Sequence, residues 1–535
     1  MARSQPYTVA CAGGLVKSAN SIDLLRTPGV ARELRNFEVS IEGGYRRING
    51  YTKFGGASST KPTGTTTRIL GVMPYADGVI ACAGTGIYFS QDGITWLQIN
   101  KISAGAGDSY ATFTARAATP RTNQGQCTFG MFENSYDYGQ IIIADGANQP
   151  FAFHMEGTGA LNTRTFYSTL ITNGGLFTSG VKYITVHDHH LIAAGVVNNE
   201  STVYYSVNLD PTSFSGVGSG AVTISDQIVG IRAFREDLII FCENSIHKLI
   251  NINDSATVAV VPIAENVGCL SGYSIQEIGG DLVFLAPDGL RTVAGTARIG
   301  DVELGTVSKA IQPLINDLAR NVNSYIINSM VHRDKSQYRL FYTDTTLDEN
   351  QQRGIIGTLR PNGFEWSETR GIEVTAIGTD FNEVGIEEHF HGSDSGYVYV
   401  HDSGNSFDGT NILARFGTPD YDYGDLGTLK TLHYLKVSAS AEGVVNPDVQ
   451  VRFDYGSTDT PQPPNLFDLG TIDPPSLFGE AIFGTNVFGG AENPLVRIPL
   501  QGSGYSNNFT IISDDTNAPY TINGFYIDFI PSGRR

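Results

Sequence analysis

Positive charge is scarce in this chain. Its 35 Lys and Arg face 54 Asp and Glu, for a formal net charge of −19. That balance argues against a protein that grips nucleic acid, because affinity for the phosphate backbone comes from Lys and Arg. It leaves two readings of the acidity open: solubility alone, or a surface past which a duplex moves without sticking. Cysteine is also sparse. Cys11, Cys82, Cys127, Cys242 and Cys269 are scattered, odd in number and without CxxC spacing. This excludes a disulfide framework or a zinc knuckle and points to buried thiols in a reducing cytoplasm. The opening residues, MARSQPYTVACAGG, carry no apolar signal-peptide core. The longest apolar runs, such as LIIFC and VAVVPIA, are strand-sized, so no membrane-spanning segment is expected. There is no G-x-S-x-G, no P-loop and no G-x-G-x-x-G.

Turn formers and strand formers are abundant instead: 62 Gly, 25 Tyr and 28 Phe. That mixture favours an all-β chain. One pattern recurs, of apolar strand, polar turn, apolar strand, tight turn and third strand. It runs over Ile69–Phe89, Tyr183–Ser206, Ile228–Ile250 and Gly272–Val293. Weaker copies start at Asn328 and Ala376, and a partial copy starts at Gly139. From residue 183 onward the copies begin at steps of roughly 45–55 residues, the length of one four-stranded propeller blade. Six to seven blades are expected.

The expected fold is an irregular multi-bladed β-propeller over 61–409, followed by a β-sandwich-like domain over 410–535. One short helix interrupts the propeller. In QPLINDLARNVNS, Leu314, Ile315 and Leu318 fall at helical spacing, and Pro313 suits a first helical position. Residues 1–60 form an arm and a hairpin turning at Glu42–Gly44, and they carry the clearest basic group, Arg32, Arg35, Arg46 and Arg47. Ion pairs with the protein's own acidic surface are the preferred reading of these arginines, ahead of phosphate or partner contacts. The sandwich is broken by a Pro/Gly/Phe-rich insertion at 456–494. There Phe478, Phe483 and Phe488 recur every five residues, a period that fits neither strand nor helix. Two roles stay open for them: folding back on their own sandwich, or packing on a neighbouring subunit or partner.

No motif assembles a catalytic centre. SQDGITW, Ser90–Trp96, falls one residue short of S-x-D-x-G-x-x-W, the Asp-box of sialidase-type propellers. It reads as a hairpin turn in which Asp caps and Gly accepts positive φ. The cluster HDHH, His187–His190, sits where each repeat places its inter-strand turn, so turn residues are expected rather than metal ligands. HFH, His389–His391, is given the same reading. PDYDYGD offers Asp420, Asp422 and Asp425 without the downstream Glu of an EF-hand and reads as a loop. No catalytic residue, cofactor or metal is expected.

The ordered set of segments nonetheless resembles a known family. RRINGYTKFG leads into IVGIRAFREDLIIF at Ile228–Phe241, GDLVFLAPDGL at Gly280–Leu290, HDSGNSFDG at His401–Gly409 and NAPYTINGFYIDF at Asn517–Phe529. This is similar to the tail nozzle proteins of short-tailed bacteriophages, also called tail tubular protein B or packaged-DNA stabilisation proteins, over roughly residues 20–535. The resemblance implies a virion protein made in the host bacterial cytoplasm. It implies a homohexameric ring below the portal and its adaptor that continues the DNA channel, retains packaged double-stranded DNA without reading its sequence, and meets tail fibres, spikes or the tail tip. Two alternatives belong beside it: another phage tail or fibre-attachment propeller, and a glycan-binding or glycan-cleaving propeller.

Overall fold

A computed structural model describes residues 4–294, 306–472 and 495–534, apart from Asn123, Ser255, Glu383, Pro464 and Asn465. The insertion phenylalanines Phe478, Phe483 and Phe488 lie outside the described residues.

The chain is all-β, and its repeats are the blades of a propeller. Six small antiparallel sheets and the first four strands of a nine-stranded sheet surround one axis. In chain order the blades begin at Ile69–Tyr75, Thr128–Phe132, Val181–His187, Ile228–Phe234, Gln276–Ile278, Ile326–His332 and Ala376–Phe381, and they are numbered 1 to 7 here. Each of these strands, or the residues just before it, lines the axis. Apolar residues face both ways along the blades because each sheet is covered on two sides. In blade 4, Leu238, Ile240 and Cys242 face blade 3, while Ile239 and Phe241 pack toward blade 5. Near the axis the blades converge until only glycine fits. A Cβ on Gly378 would sit 2.1 Å from the Val72 carbonyl oxygen of blade 1. One on Gly230 would sit 2.6 Å from the Ile275 side chain.

Blade 7 is closed by a strand from the N-terminus. Tyr51–Lys53 pairs with Val398–His401, so the last blade is completed by residues read some 350 positions earlier. The rest of the arm goes elsewhere. Gln5–Ala10 pairs with Tyr520–Arg534, and the hairpin Phe37–Val39/Tyr45–Arg47 joins the same C-terminal sheet. Glu33–Arg35 lies between Gly363–Arg370 of blade 6, which it parallels, and Ile412–Gly417, which it opposes. That short strand turns blade 6 and one layer of the C-terminal sandwich into one nine-stranded sheet. Tyr45 and Phe525 from the other layer meet Phe416 across the sandwich, at ring distances of 4.9 and 5.7 Å. The helix Gln312–Arg320 forms where expected, with Pro313 in its first turn as the second helical residue rather than the first. It buries Ile315 and Leu318 in the core shared by blades 5 and 6 and the sandwich.

Two turn readings divide. HDHH is a tight hairpin: Asp188 and His189 hold φ of 48° and 61°, and His187 pairs with His190. HFH is not a turn. In blade 7 the turn lies at Asn382–Ile386, where Asn382 Oδ1 accepts from the backbone N–H of Val384 and Ile386. His389 and His391 therefore fall inside the strand Glu387–Gly392, buried, on the face opposite Phe390. Burial pushes each of them down to about 3, so both are neutral near pH 7. SQDGITW is the expected turn. Asp92 Oδ1 accepts from the N–H groups of Ile94 and Thr95, and Gly93 takes φ of 69°. All five cysteines are buried thiols.

Candidate functional site: a cation-rich cleft at the propeller–sandwich junction

Two features compete for attention, and the first is the axis. It holds a cavity of about 240 Å³, lined by polar and apolar residues of all seven blades. It is bridged from side to side. Gln126 of blade 2 donates to Ile327 O (2.9 Å) and Asn328 Oδ1 (2.7 Å) of blade 6. Gln276 donates to Ser329 O at 2.8 Å. A space of that size holds about eight waters at ~30 Å³ each. No duplex passes through it.

The second feature is a cleft of about 540 Å³ on the outer face of the nine-stranded sheet, where Glu33–Arg35 welds propeller to sandwich. Strand alternation builds it. Leu34, Ala414, Phe416, Val451 and Phe453 point into the sandwich core, so their neighbours Glu33, Arg35, Arg415 and Arg452 point out on the other face. Blade 6 adds Glu368 and Arg370, and the arm adds Lys17 and Arg32. Six cations thus share the cleft with three carboxylates, Glu33, Glu368 and Asp420. Arg415 pairs with Glu33 at 2.8 Å, Arg370 with Glu368 at 2.6 Å, and Arg32 with Asp420 at 3.0 Å. Lys17, Arg35 and Arg452 make no ion pair among the described residues, and Arg35 Nε is buried without a hydrogen-bond partner. Burial, then the adjacent Arg370 guanidinium, pull Arg35 below the usual arginine range. On a chain of net charge −19 this is a local excess of positive charge, shaped to receive carboxylates or phosphates.

The basic group read from the arm splits accordingly. Arg46 is held by Glu38 at 2.9 Å and Glu442 at 2.6 Å. Arg47 is 1% exposed and donates to Asp515 and to the carbonyls of Asp515 and Asn517. Both have the internal ion-pairing expected of them. Arg32 is paired but half exposed, and it shares the cleft with Arg35. Sequence reasoning missed Arg370, Arg415 and Arg452. Their signal was present as polar positions alternating with core residues in GFEWSETR, ILARFG and DVQVRF, but nothing local brings those strands together. PDYDYGD is a loop, except that Tyr421 bridges Asn507. Its Asp420 is fully buried against Arg32 and Asn508.

No family model and no curated protein matches the chain. Solved structures similar to it are propeller proteins at low identity. The exo-β-1,3-galactanase of Phanerochaete chrysosporium is 10% identical, with 90% of this chain and 100% of that chain covered and a TM-score of 0.27. PorZ, a surface component of the type-IX secretion system of Porphyromonas gingivalis, is 11% identical over 70% of this chain and 43% of its own, with a TM-score of 0.37. The AfRom2 CNH domain is 11% identical over 67% of this chain and all of its own, at 0.34. No helix among the described residues is long and apolar enough to cross a membrane.

Proposed function

We propose that the chain is a non-enzymatic structural subunit of a phage tail. Six copies form a nozzle ring beneath the portal and its adaptor, and the ring retains DNA and then lets it pass. The observation that carries this reading is the weld between the two halves of the molecule. One sheet runs from blade 6 into the sandwich, and one arm is woven into the sandwich, the weld and blade 7. Such a body resists shear between its parts, which suits a wall element more than an enzyme that opens and closes a cleft. The bridged axis adds a constraint: DNA runs through the centre of the ring, between subunits, and not through a propeller.

Like-charged copies repel, so a ring of subunits each at −19 needs a local counter-charge at its contacts. The cation-rich cleft supplies it for an acidic segment of a neighbouring subunit. Negative-stain microscopy and mass photometry of the full chain, alone and with adaptor-bearing particles, test the reading. Six-fold rings with an open centre are expected. Monomers that ignore tails but are retained on immobilised glycans would replace it with a carbohydrate-binding propeller.

The cleft has its own test. The double variant Lys17→Glu/Arg452→Glu changes two exposed side chains without ion pairs, so unfolding should stay within about 0.5 kcal/mol of the parent. Ring assembly should be lost. Normal rings from this variant would remove the cleft from the interface.

A further inference from the structure

We propose that His332, Glu387 and His389 form a binding site for a zinc-class divalent cation that clasps blade 6 to blade 7. His332 ends the inner strand of blade 6, and Glu387 and His389 lie two apart on one face of the second strand of blade 7. One donor atom from each lies within 4.8 Å of the other two. The three side chains are 11%, 2% and 6% exposed.

Hydrogen bonding makes the case. Buried polar atoms in folded proteins are nearly always paired. Here neither ring nitrogen of His389 has a hydrogen-bond partner, although Nε2 comes within 3.6 Å of Glu387 Oε2, and Nδ1 of His332 has none either. The two imidazoles face one another with ring centres 4.4 Å apart. The other His332 nitrogen, Nε2, meets Asp402 Oδ2 at 3.1 Å. A carboxylate on the far nitrogen is the usual orienting partner of a metal-bound imidazole. Asp402 is itself fixed by Lys335 at 2.7 Å and Arg339 at 3.1 Å. Glu387 accepts the Arg333 backbone N–H at 2.9 Å and its guanidinium, which orients both carboxylate oxygens and leaves each a lone pair.

The donor set selects the ion. Two imidazoles and one carboxylate suit zinc and its neighbours, whereas calcium and magnesium require oxygen shells. Tetrahedral zinc, with bonds of about 2.0–2.2 Å, holds its donors about 3.4 Å apart. Closing the shell takes side-chain rotations of about an ångström. Four anions, Glu38, Glu387, Asp402 and Glu442, offset four cations, Arg46, Arg333, Lys335 and Arg339, so the ion enters a cluster of balanced charge. Blade 7 is the blade closed by the N-terminal strand, and a clasp on its neighbour braces the propeller beside that closure. The site is independent of ring assembly.

The test uses the untagged full-length chain, stripped with chelator, loaded with zinc sulfate and dialysed. One zinc per chain by elemental analysis is expected, with a rise in Tm of about 2–5 °C. Cobalt(II) in place of zinc should give the visible absorption of a four- or five-coordinate ion. His389→Gln and Glu387→Gln should each weaken binding at least tenfold, while His189→Gln in the blade 3 turn leaves it unchanged. Zinc well below one per chain overturns the proposal, as does full retention of zinc in His332→Gln/His389→Gln. If either variant fails to fold, the cobalt spectrum of the parent decides, and its absence overturns the proposal.

Discussion

Replacing Glu38 with alanine is expected to destabilise the protein by about 3–5 kcal/mol, the scale for removing one partner of a buried charge network. Glu38 is 2% exposed and sits on the arm hairpin. Its Oε1 takes Arg46 at 2.9 Å and Lys335 at 3.0 Å, and its Oε2 takes Arg339 at 3.0 Å and Gln337 at 3.2 Å. Despite burial, which acts to raise it, the adjacent Lys335 and Arg339 charges hold the carboxyl below the usual range. Without it, Arg339, itself 2% exposed, keeps only Asp402 as an anionic partner. Glu38→Gln, which keeps shape and one acceptor, should cost less. Because the network joins the arm to blades 6 and 7, the loss should be shared. In a double-mutant cycle with Arg339→Met, coupling of 0.5 kcal/mol or more is expected. A Glu38→Ala midpoint in urea indistinguishable from the parent would show that the network carries no stability.

The second large effect is acid lability. Burial pushes His154 down to about 4 and His391 down to about 3, and burial with the neighbouring His391 lowers His401 well below the usual histidine value. His154 is 5% exposed and stacked between Tyr136 and Tyr167 at 3.7 and 4.5 Å, with both ring nitrogens unpartnered. A depressed folded value means that the native state refuses a proton which the unfolded chain accepts. Above pH ~6.5 both states are neutral and stability is full. Below it, each such histidine removes about 1.4 kcal/mol per pH unit until the folded value is reached. Between pH 6.5 and 5, His154 and His391 together remove about 4 kcal/mol, and His401 adds to the loss, against a typical total stability of 5–15 kcal/mol. Unfolding near pH 5 is therefore expected, followed by circular dichroism against pH. His154→Phe keeps the stack and removes one titration, so its acid midpoint should move lower. An unchanged midpoint would show that His154 does not contribute to the acid transition.

Periodicity made much of this architecture legible. The blades are local: each hairpin is encoded by alternating apolar residues and a polar turn, so IVGIRAFREDLIIF and its relatives carry their own pattern. Pro313 with Leu314, Ile315 and Leu318 marked the helix for the same reason, because its pattern lies within nine residues. HFH was misread because the position of a turn was inferred from the other repeats. Blade 7 instead places its turn at Asn382–Ile386, before the E-E-H-F-H strand.

The sequence by itself determined an acidic all-β chain of repeated blades with a sandwich after them. These properties depend on composition and on neighbours a few residues apart. Only the tertiary structure decided what the arm does, since pairing Tyr51–Lys53 with Val398–His401, or Glu33–Arg35 with both Gly363–Arg370 and Ile412–Gly417, depends on contacts hundreds of residues apart. The same holds for the cleft of Arg35, Arg415 and Arg452 and for His332 facing His389. Each side chain sits in an ordinary strand pattern, and closure of the propeller and the weld to the sandwich alone bring them together.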